Sequence, residues 1–326
     1  MAAHFFTVSE GNYKICVEKG LVAIPEADGK MKDNINDGLI SRLTGIKEDD
    51  YVFLYVMKSK SIHGVWQIEG APFYDETQVW ADNTYPFRCK IKCTQFNFPN
   101  SLRRDDILDL QSAGKIWTLA FKRATGTNSM FSISNEELQI ILTEFVKKNP
   151  FSAQKTRIMQ PYPFHEGNII QKLHFFDGKP KYESTIMALL NAGFAKGDYT
   201  EIFGNYSDFL CYVPTSLEKE MDFLLIFDNP FCKGQIVSYD IIEVKREEFD
   251  ISALTQLISY ESWFLQKKIS GDSNMLRTTA IAKTFSDDVI QYVKQRKQIE
   301  NKPIKLLRYF YENAALILKD VLQSEY

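Results

Sequence analysis

The amino-acid sequence predicts two domains, an α+β domain dominated by short strands and an α/β domain that follows it. Three observations support this fold class. The 326 residues are long for one domain and comfortable for two. Several segments before residue 148 alternate apolar and polar residues, as half-buried strands do. After residue 181, strand-like and helix-like segments follow one another in the order typical of an α/β core.

The first domain, residues 1–148, is expected to be a small curved sheet or barrel with a few helices, because its strand-like segments are many and short. The expected strands are residues 4–8, 50–57, 61–68, 85–93 and 116–121. Helices are expected over residues 10–19 and 135–148, with a further helix between the strands at 85–93 and 116–121. Ser134 and Glu137 have the spacing of a capping box, which places the start of the helix over 135–148 at Ser134.

The boundary between the domains is expected in a proline-rich segment. The helix over 135–148 stops at Asn149 and Pro150, and Pro161, Pro163 and Pro180 follow. Such a segment is typical of a linker or of a stretch that wraps around a domain. We therefore assign residues 149–326 to the linker and the second domain, whose folded part should begin near residues 165–181.

The second domain contains a predicted β-hairpin that carries charged residues. Two apolar segments, 221–227 and 240–245, are joined by the turn-forming segment 228–234. Because residues i and i+2 of a strand share a face, Glu243 and Lys245 should project together. Asp240 lies three residues before Glu243 and should point to the opposite face, which leaves Asp222 as the expected partner acid.

The segments after the hairpin predict further helices and strands. Residues 251–265 have apolar positions at helical spacing, and Gln256 and Tyr260 lie four apart on one face of that helix. The expected elements that follow are a strand over 276–283, a helix over 287–296, a strand over 304–310 and a helix over 314–323.

The charged residues of the hairpin have the chemistry of a metal-dependent hydrolase. A pair of carboxylates can hold Mg²⁺ through oxygen ligands, and a nearby lysine can steady or deprotonate an attacking water. Glu-x-Lys is common on solvent-exposed strand faces. On a strand as apolar as this one, however, a charged pair is costly unless it is exposed or functional.

Asp222, Glu243-x-Lys245 and Gln256-x-x-x-Tyr260 together resemble the PD-(D/E)xK nuclease superfamily, in particular those branches in which a glutamine and a tyrosine on the next helix support the site. The resemblance implies an α/β domain with a mixed central sheet. It also implies that the acid, the glutamate and the lysine are metal and water ligands, with Mg²⁺ or Mn²⁺ held by Asp222 and Glu243.

In the superfamily an upstream helix supplies another glutamate, and Glu183 is the matching residue. The Pro-Asp dipeptide of the motif is absent, because Asp222 follows Met221.

The order of motifs in the first domain is similar to that of EVE domains, which are PUA-like β-barrels related to YTH domains. The similar pieces extend over roughly residues 3–148 and are segments 6–9, 49–55, 62–66, 72–75 and 85–91, with Trp80 between the last two. The resemblance implies a pocket that takes one flipped, often methylated, base between aromatic walls. The implied pocket residues are Trp80, Trp66, Tyr74, Ser9, Asn12 and Tyr13. Trp80 ranks first because its polar loop offers little core to fill.

Composition narrows the classes of partner. The net charge of −3 argues against bulk coating of nucleic acid, but residues 267–308 carry ten basic and four acidic residues. This local excess suits a phosphate-tracking surface, with an ordinary solvated face as the alternative. Five scattered cysteines without zinc-site spacing predict reduced thiols in a cytoplasmic protein. The chain has no signal peptide pattern and no run of 18 apolar residues, so no membrane span is expected.

Taken together, these features predict a modification-dependent DNA endonuclease. The first domain would read a modified base in double-stranded DNA, and the second would cut the backbone with Mg²⁺. Cleavage of both strands would require a homodimer. One alternative is a mismatch- or structure-specific repair nuclease. Another is a binding protein for DNA or RNA whose nuclease fold is inactive, although the intact Asp222, Glu243 and Lys245 argue against that. RNA is also open as a target, because PUA-like and YTH domains bind RNA.

Overall fold

The computed structural model describes residues 2–94, 98–119, 129–150, 160, 162–163, 165–215 and 219–322. The chain forms two compact units, residues 1–173 and residues 174–326. Within the described ranges, no helix is long and apolar enough to cross a membrane.

The first unit is a mixed, eight-stranded sheet with four helices in its described part. Strand order is β2-β5-β4-β3-β1-β7, and β6 and β8 also pair with β4. Strands β1 and β3 are parallel, whereas the other pairs are antiparallel. The elements in chain order are β1 Ala3–Val8, α1 Glu10–Lys19, β2 Leu21–Ile24, α2 Lys32–Thr44, β3 Tyr51–Val56, β4 Ser61–Tyr74, β5 Phe87–Cys93, β6 Leu102–Arg103, α3 Arg104–Ser112, β7 Met130–Ile133, α4 Asn135–Lys148 and β8 Gly167–Asn168.

Helix α4 packs against the core of this unit. Its buried residues Leu138, Ile141 and Phe145 recur at helical spacing and belong to the same apolar cluster as residues of β1, β3 and β7. The predicted capping box is confirmed, since Ser134 Oγ accepts from the Glu137 amide and Glu137 Oε2 accepts from the Ser134 amide, each at 3.3 Å. The buried Glu137 carboxylate also accepts the Trp117 amide at 2.6 Å.

Two features of the first unit differ from the sequence prediction. The unit extends to residue 173 rather than ending at 148, because Gly167 and Asn168 pair with Tyr74 and Phe73 at the end of β4. The strand expected over 116–121 is not found over residues 116–119, and residues 120 and 121 lie outside the described ranges. Strand β7, which the sequence did not predict, pairs with β1.

The second unit is a six-stranded mixed sheet in the order β11-β12-β13-β14-β15-β16. Strands β13, β14 and β15 are parallel to one another, and the outer pairs are antiparallel. A two-stranded pair, β9 and β10, precedes it. The elements are β9 Phe175–Phe176, β10 Lys179–Pro180, α5 Glu183–Lys196, α6 Thr200–Phe203, β11 Asp208–Pro214, β12 Glu220–Asn229, β13 Cys232–Phe249, α7 Ile251–Lys267, β14 Leu276–Phe285, α8 Asp287–Glu300, β15 Ile304–Glu312 and β16 Ala315–Asp320.

Helices cover both faces of this sheet. On one face, Phe194 of α5 packs against Phe223 of β12, with ring centroids 5.1 Å apart. On the other face, Phe264 of α7 packs against Tyr239 of β13 at 4.9 Å. The alternation of side chains along β12 and β13 therefore sorts residues between an α5 face and an α7 face.

The helix expected over residues 314–323 is wrong, because residues 315–320 form strand β16. Glu312 pairs with Ala315, so the hairpin turn consists of Asn313 and Ala314, which both have positive φ. Two residues with positive φ give the tight turn whose twist matches that of the flanking strands. In β16 the side chains of Leu316 and Leu318 are buried and that of Ile317 is 40% exposed, the period-2 pattern of a strand.

Candidate functional site

The β12–β13 hairpin brings the predicted acidic residues together. Phe223 lies opposite Ile242, so Asp222 and Glu243, the next residue on each strand, meet on the α7 face. Asp222 Oδ2 accepts a hydrogen bond of 2.7 Å from the backbone amide of Val244. The side chain of Asp222 thus takes over a strand-to-strand hydrogen bond and is held beside Glu243.

Lys245 and Glu183 complete the cluster. Lys245 Nζ lies 2.6 Å from Glu243 Oε1 and 3.8 Å from Glu183 Oε1. It also donates to the Val244 carbonyl at 3.1 Å. Glu183 is the first residue of α5, so the start of this helix supplies the fourth charged group. The sequence prediction placed Glu183 beside the hairpin only by resemblance, and the structure brings the two together.

The charges in this cluster perturb one another. Burial and the neighbouring Glu243 charge raise the pKa of Asp222 well above its usual range, against the opposing effect of Lys245. Burial also raises the pKa of Glu243, again against Lys245. Burial would lower the pKa of Lys245, but the Glu243 and Asp222 carboxylates outweigh it and raise that pKa. With all three carboxylates ionised, the cluster would hold more negative charge than its single lysine balances, and this repulsion contributes to the raised pKa values of Asp222 and Glu243.

The donor set fits a divalent cation. Glu243 is fully buried, and its Oε2 has no hydrogen-bond partner among the described residues. A buried oxygen without a partner is costly, and carboxylate oxygens are the ligands that Mg²⁺ prefers. In the described ranges, no three His, Cys, Asp or Glu side chains are grouped to hold a metal. Asp222 and Glu243 would thus supply two ligands, which suits Mg²⁺ because it usually keeps several waters.

Gln256 and Tyr260 hydrogen-bond to each other and to the backbone of β12 next to the cluster. Gln256 Nε2 donates to the Tyr260 hydroxyl, and that hydroxyl donates to the Glu220 carbonyl, each at 2.8 Å. Burial and then the Glu243 charge raise the pKa of Tyr260 to about 12, so the phenol stays protonated at neutral pH. These two residues of α7 hold the start of β12, two residues before Asp222.

Asp240 lies on the α5 face of β13, as strand parity predicted. Its carboxylate accepts a hydrogen bond from Thr279 Oγ1 at 3.0 Å and is buried. Burial raises its pKa to about 7. It takes no part in the cluster around Glu243.

The first unit contains a cavity of about 120 Å³ that includes three of the six predicted pocket residues. Ser9 caps α1, and its Oγ accepts from the Asn12 amide at 3.2 Å. Asn12 Nδ2 donates to the Tyr85 hydroxyl at 3.1 Å and to the Asp82 carboxylate at 3.2 Å. The cavity is lined by Thr7, Val8, Ser9, Asn12, Cys16, Ala23, Met57, Trp80, Asp82 and Tyr85.

The aromatic wall of this cavity is Trp80, whose loop is held by a buried arginine. Trp80 is only 2% exposed, so it fills more core than its polar loop predicted. Its ring packs edge-on against Tyr85 at 5.3 Å and under the Arg88 guanidinium at 5.4 Å. Arg88 donates to Asp75 Oδ2 and to the Tyr85 carbonyl, each at 2.9 Å. This network fixes both ends of the loop that carries Trp80.

The structure does not bring Trp66, Tyr74 and Tyr13 to the cavity, against the sequence prediction. Trp66 is 1% exposed and pairs in the middle of the sheet, where core packing claims its ring. The Tyr74 hydroxyl donates to Glu26 and Glu76. Tyr13 packs against His63, with ring centroids 4.6 Å apart.

Seven cavity residues escaped the sequence prediction, namely Thr7, Val8, Cys16, Ala23, Met57, Asp82 and Tyr85. Asp82 and Tyr85 stand two and five positions from Trp80, in or beside the same loop. A search of that loop for side chains able to meet a base edge would have included both. Met57 follows the end of β3, and nothing in its local sequence marks it.

The comparison with solved structures found matches of low sequence identity and low TM-score. The human THYN1 protein in complex with 5-methylcytosine-containing DNA is 13% identical, with a TM-score of 0.31 over 44% of this chain and 98% of that one. The YTH domain of Zygosaccharomyces rouxii MRB1 in complex with N6-methyladenosine RNA is 16% identical, with a TM-score of 0.29 over 44% and 86%. An EndoMS–double-stranded DNA complex is 14% identical, with a TM-score of 0.24 over 35% and 42%.

A search of curated proteins found no match. The model of the EVE domain family matches residues 35–144, which lie within the first unit. The resemblance read from the motifs is thus confirmed over about a third of the chain. Residues 35–144 are an EVE domain, and the first unit that contains them has α+β content and a mixed sheet.

Proposed function

We propose that the protein is a modification-dependent DNA endonuclease. Its first unit would bind a modified base flipped out of double-stranded DNA, and its second would hydrolyse the phosphodiester backbone with Mg²⁺ or Mn²⁺. The observation that carries this proposal is the cluster of Asp222, Glu243 and Lys245, in which the buried Oε2 of Glu243 has no hydrogen-bond partner among the residues that the structure describes.

Each residue of the cluster has a distinct proposed role. Asp222 and Glu243 would hold the cation, which when bound would polarise the scissile phosphate and lower the pKa of a water. The Lys245 ammonium, kept protonated by the carboxylates around it, would orient the attacking water and balance the charge that develops on the phosphate. Glu183, whose Oε1 lies 3.8 Å from Lys245 Nζ, would help to hold the ammonium in place.

Gln256 and Tyr260 would position the strand without contacting substrate. Their hydrogen-bond chain ends on the Glu220 carbonyl, so it fixes the backbone that leads into Asp222. Their loss should lower the rate of cleavage by loosening the position of Asp222, and should leave its chemistry unchanged.

The proposed reading of a modified base rests on the EVE domain and on the cavity at Trp80. A base stacked on Trp80 would meet the Asn12 amide and the Asp82 carboxylate, which can pair with its edge. Stacking on an aromatic ring is worth about 1–3 kcal/mol per base. Burial of a methyl group adds only about 1 kcal/mol, so discrimination would depend on the edge contacts as well.

The proposal includes a homodimer, because a single active site cuts one strand at a time. A two-fold dimer would place one cluster on each strand of the duplex. Equilibrium sedimentation of the protein on a modified duplex, with the ratio of chains to duplex as the readout, tests this point.

The test of function is a cleavage assay on matched duplexes that differ at one base. The set contains an unmodified duplex, 5-methylcytosine, 5-hydroxymethylcytosine and N6-methyladenine duplexes, a mismatched duplex and an RNA of the same sequence. We expect cleavage of one modified duplex with Mg²⁺ and none in excess chelator. Cleavage of the mismatched duplex alone would establish a structure-specific nuclease instead. Binding without cleavage of any substrate would establish a binding protein.

A further inference from the structure

The second unit contains a pocket of about 670 Å³ that the proposed cleavage chemistry does not use. It lies where the parallel strands β14 and β15 begin, and Arg277, Thr279 and Lys305 line it. Asp240, which also lines it, precedes Glu243 by three residues, or about 10 Å of strand. A volume of this size falls in the range of small-molecule sites, about 300–1,000 Å³.

The walls of the pocket carry four cations outside the ion pairs of the described residues, although the charges of Arg277 and Lys305 act on Asp240. Arg277, Lys297, Lys302 and Lys305 all line it, and within the described part of the chain none forms an ion pair. Lys305 Nζ donates to the Ile202 carbonyl at 2.7 Å, which orders the side chain without neutralising it. Exposed lysines usually point away into water. Together with Arg296, the pocket has five basic residues against four acidic ones, so the charge of its lining has a small positive excess.

A buried arginine, Arg296, also lines the pocket. Arg296 is 7% exposed, and its Nη2 donates to Glu261 Oε1 at 2.5 Å. Its Nε lies 3.5 Å from Glu300 Oε2. Arg296 thus pairs with both glutamates, yet its Nη1 has no hydrogen-bond partner in the described residues. A buried guanidinium N–H left without an acceptor is costly, so an oxygen supplied by a ligand or by a water would stabilise it.

The two other carboxylates that line the pocket accept hydrogen bonds from groups of the protein. Asp240 accepts from Thr279 Oγ1, and Asp320 accepts from the Leu322 amide at 2.9 Å. The remaining walls are largely apolar and include Phe203, Leu265, Leu276 and Ile304. A ligand that fits this lining has an anionic part for the cations and a flat or apolar part for these side chains.

We propose that this pocket binds a phosphorylated small molecule of nucleotide size, with its phosphate on Arg296, Arg277 and the pocket lysines. Guanidinium groups pair with phosphate oxygens bidentately, and lysines add point charges. The site is separate from the proposed cleavage cluster, so ligand binding requires neither Asp222 nor Glu243.

The test is isothermal titration calorimetry on the full chain, in chelator and without DNA. The probes are the ribonucleoside and deoxyribonucleoside 5′-mono- and diphosphates, the matching nucleosides and inorganic phosphate. We expect at least one nucleotide to bind at least tenfold more tightly than its nucleoside and than inorganic phosphate. Equal affinity for phosphate alone, or no nucleotide binding, overturns the proposal.

Three exposed or half-buried cations provide variants that should fold: Arg277→Ala, Lys297→Ala and Lys302→Ala. Each should weaken nucleotide binding about five- to tenfold. Lys267→Ala is the matched control, because this exposed lysine of α7 does not line the pocket. Equal loss in the control overturns the assignment. So does a loss confined to DNA affinity, which would make the pocket part of a nucleic-acid interface. Because the assay contains no metal and no DNA, its outcome is independent of nuclease activity.

Discussion

Replacing Asp222 by asparagine tests the proposed metal position without relying on cleavage. Burial and the Glu243 charge raise the pKa of Asp222 in the folded protein. A raised pKa costs stability as the pH rises from the unfolded value, near 4, through the folded value. Asp222→Asn removes that cost, and its amide oxygen can still accept the Val244 amide. Without divalent cation, the variant should be at least as stable as the wild type at pH 7.5.

With Mg²⁺ bound, the wild type should become more stable than Asp222→Asn. A cation that binds only the folded state stabilises it by about 1.4 kcal/mol at ten times its dissociation constant. For a unit the size of residues 174–326 this raises the unfolding midpoint by about 3–6 °C. Asp222→Asn should show none of this rise, because one of the two proposed ligands is lost. Asp240→Asn is the matched control, since it makes the same substitution on the opposite face of the same sheet.

The assay is thermal unfolding of the three proteins at pH 7.5 with and without Mg²⁺, followed by circular dichroism. The wild type and Asp240→Asn should gain several degrees, and Asp222→Asn should gain none. An equal gain in all three proteins would place the cation elsewhere and refute the reasoning. Loss of the gain in Asp240→Asn alone would move the metal to the other face of the sheet.

Three further predictions concern individual side chains. Lys245→Ala should abolish cleavage and leave DNA affinity within about twofold, as measured by a gel-based cleavage assay and by fluorescence anisotropy; cleavage at the wild-type rate would remove Lys245 from the proposed mechanism. Trp80→Ala should lose about ten- to a hundred-fold in affinity for the preferred modified duplex, with Trp80→Phe intermediate, because stacking is worth about 1–3 kcal/mol per base. Trp66→Ala should instead lower the free energy of unfolding by about 3–5 kcal/mol, since Trp66 is buried in the sheet; a specific loss of binding with unchanged stability would reverse these two assignments. Asp240, with its pKa raised to about 7, should cost stability as the pH rises from about 4 to 7, on the order of 4 kcal/mol in full. Urea unfolding of Asp240→Asn across this range should show a dependence on pH smaller by one proton, and an unchanged dependence would contradict the buried ionisation.

Local patterns predicted much of the second unit. The hairpin of β12 and β13, helix α7 and the pairing of Glu243 with Lys245 follow from period-2 and period-3.6 spacing, which act over a few residues. The same parity argument separated Asp222 from Asp240. The exception is β16, where Asn313 and Ala314 make a two-residue turn with positive φ that alanine rarely adopts. The composition of residues 314–323 favoured a helix, and pairing with β15 overrode it.

The base pocket shows where local patterns stop being informative. Both Trp66 and Trp80 are aromatic residues near turns, and the sequence supported either as a wall of a pocket. Only the packed sheet assigns Trp66 to the core and Trp80 to a cavity, because burial depends on contacts between segments far apart in the chain. Arg88 and Asp75, which hold the loop of Trp80, pair across thirteen positions.

The sequence by itself determined which side chains share a face, because the spacing of residues along a strand or helix sets the direction of each side chain. It thereby determined the pairing of Glu243 with Lys245 and the exclusion of Asp240. Tertiary structure alone decided the surroundings of those faces: the burial of a Glu243 oxygen without a hydrogen-bond partner in the described ranges, the approach of Glu183 and the pocket around Arg296. These depend on how α5, α7 and α8 pack on the sheet, and packing joins residues that no local pattern links.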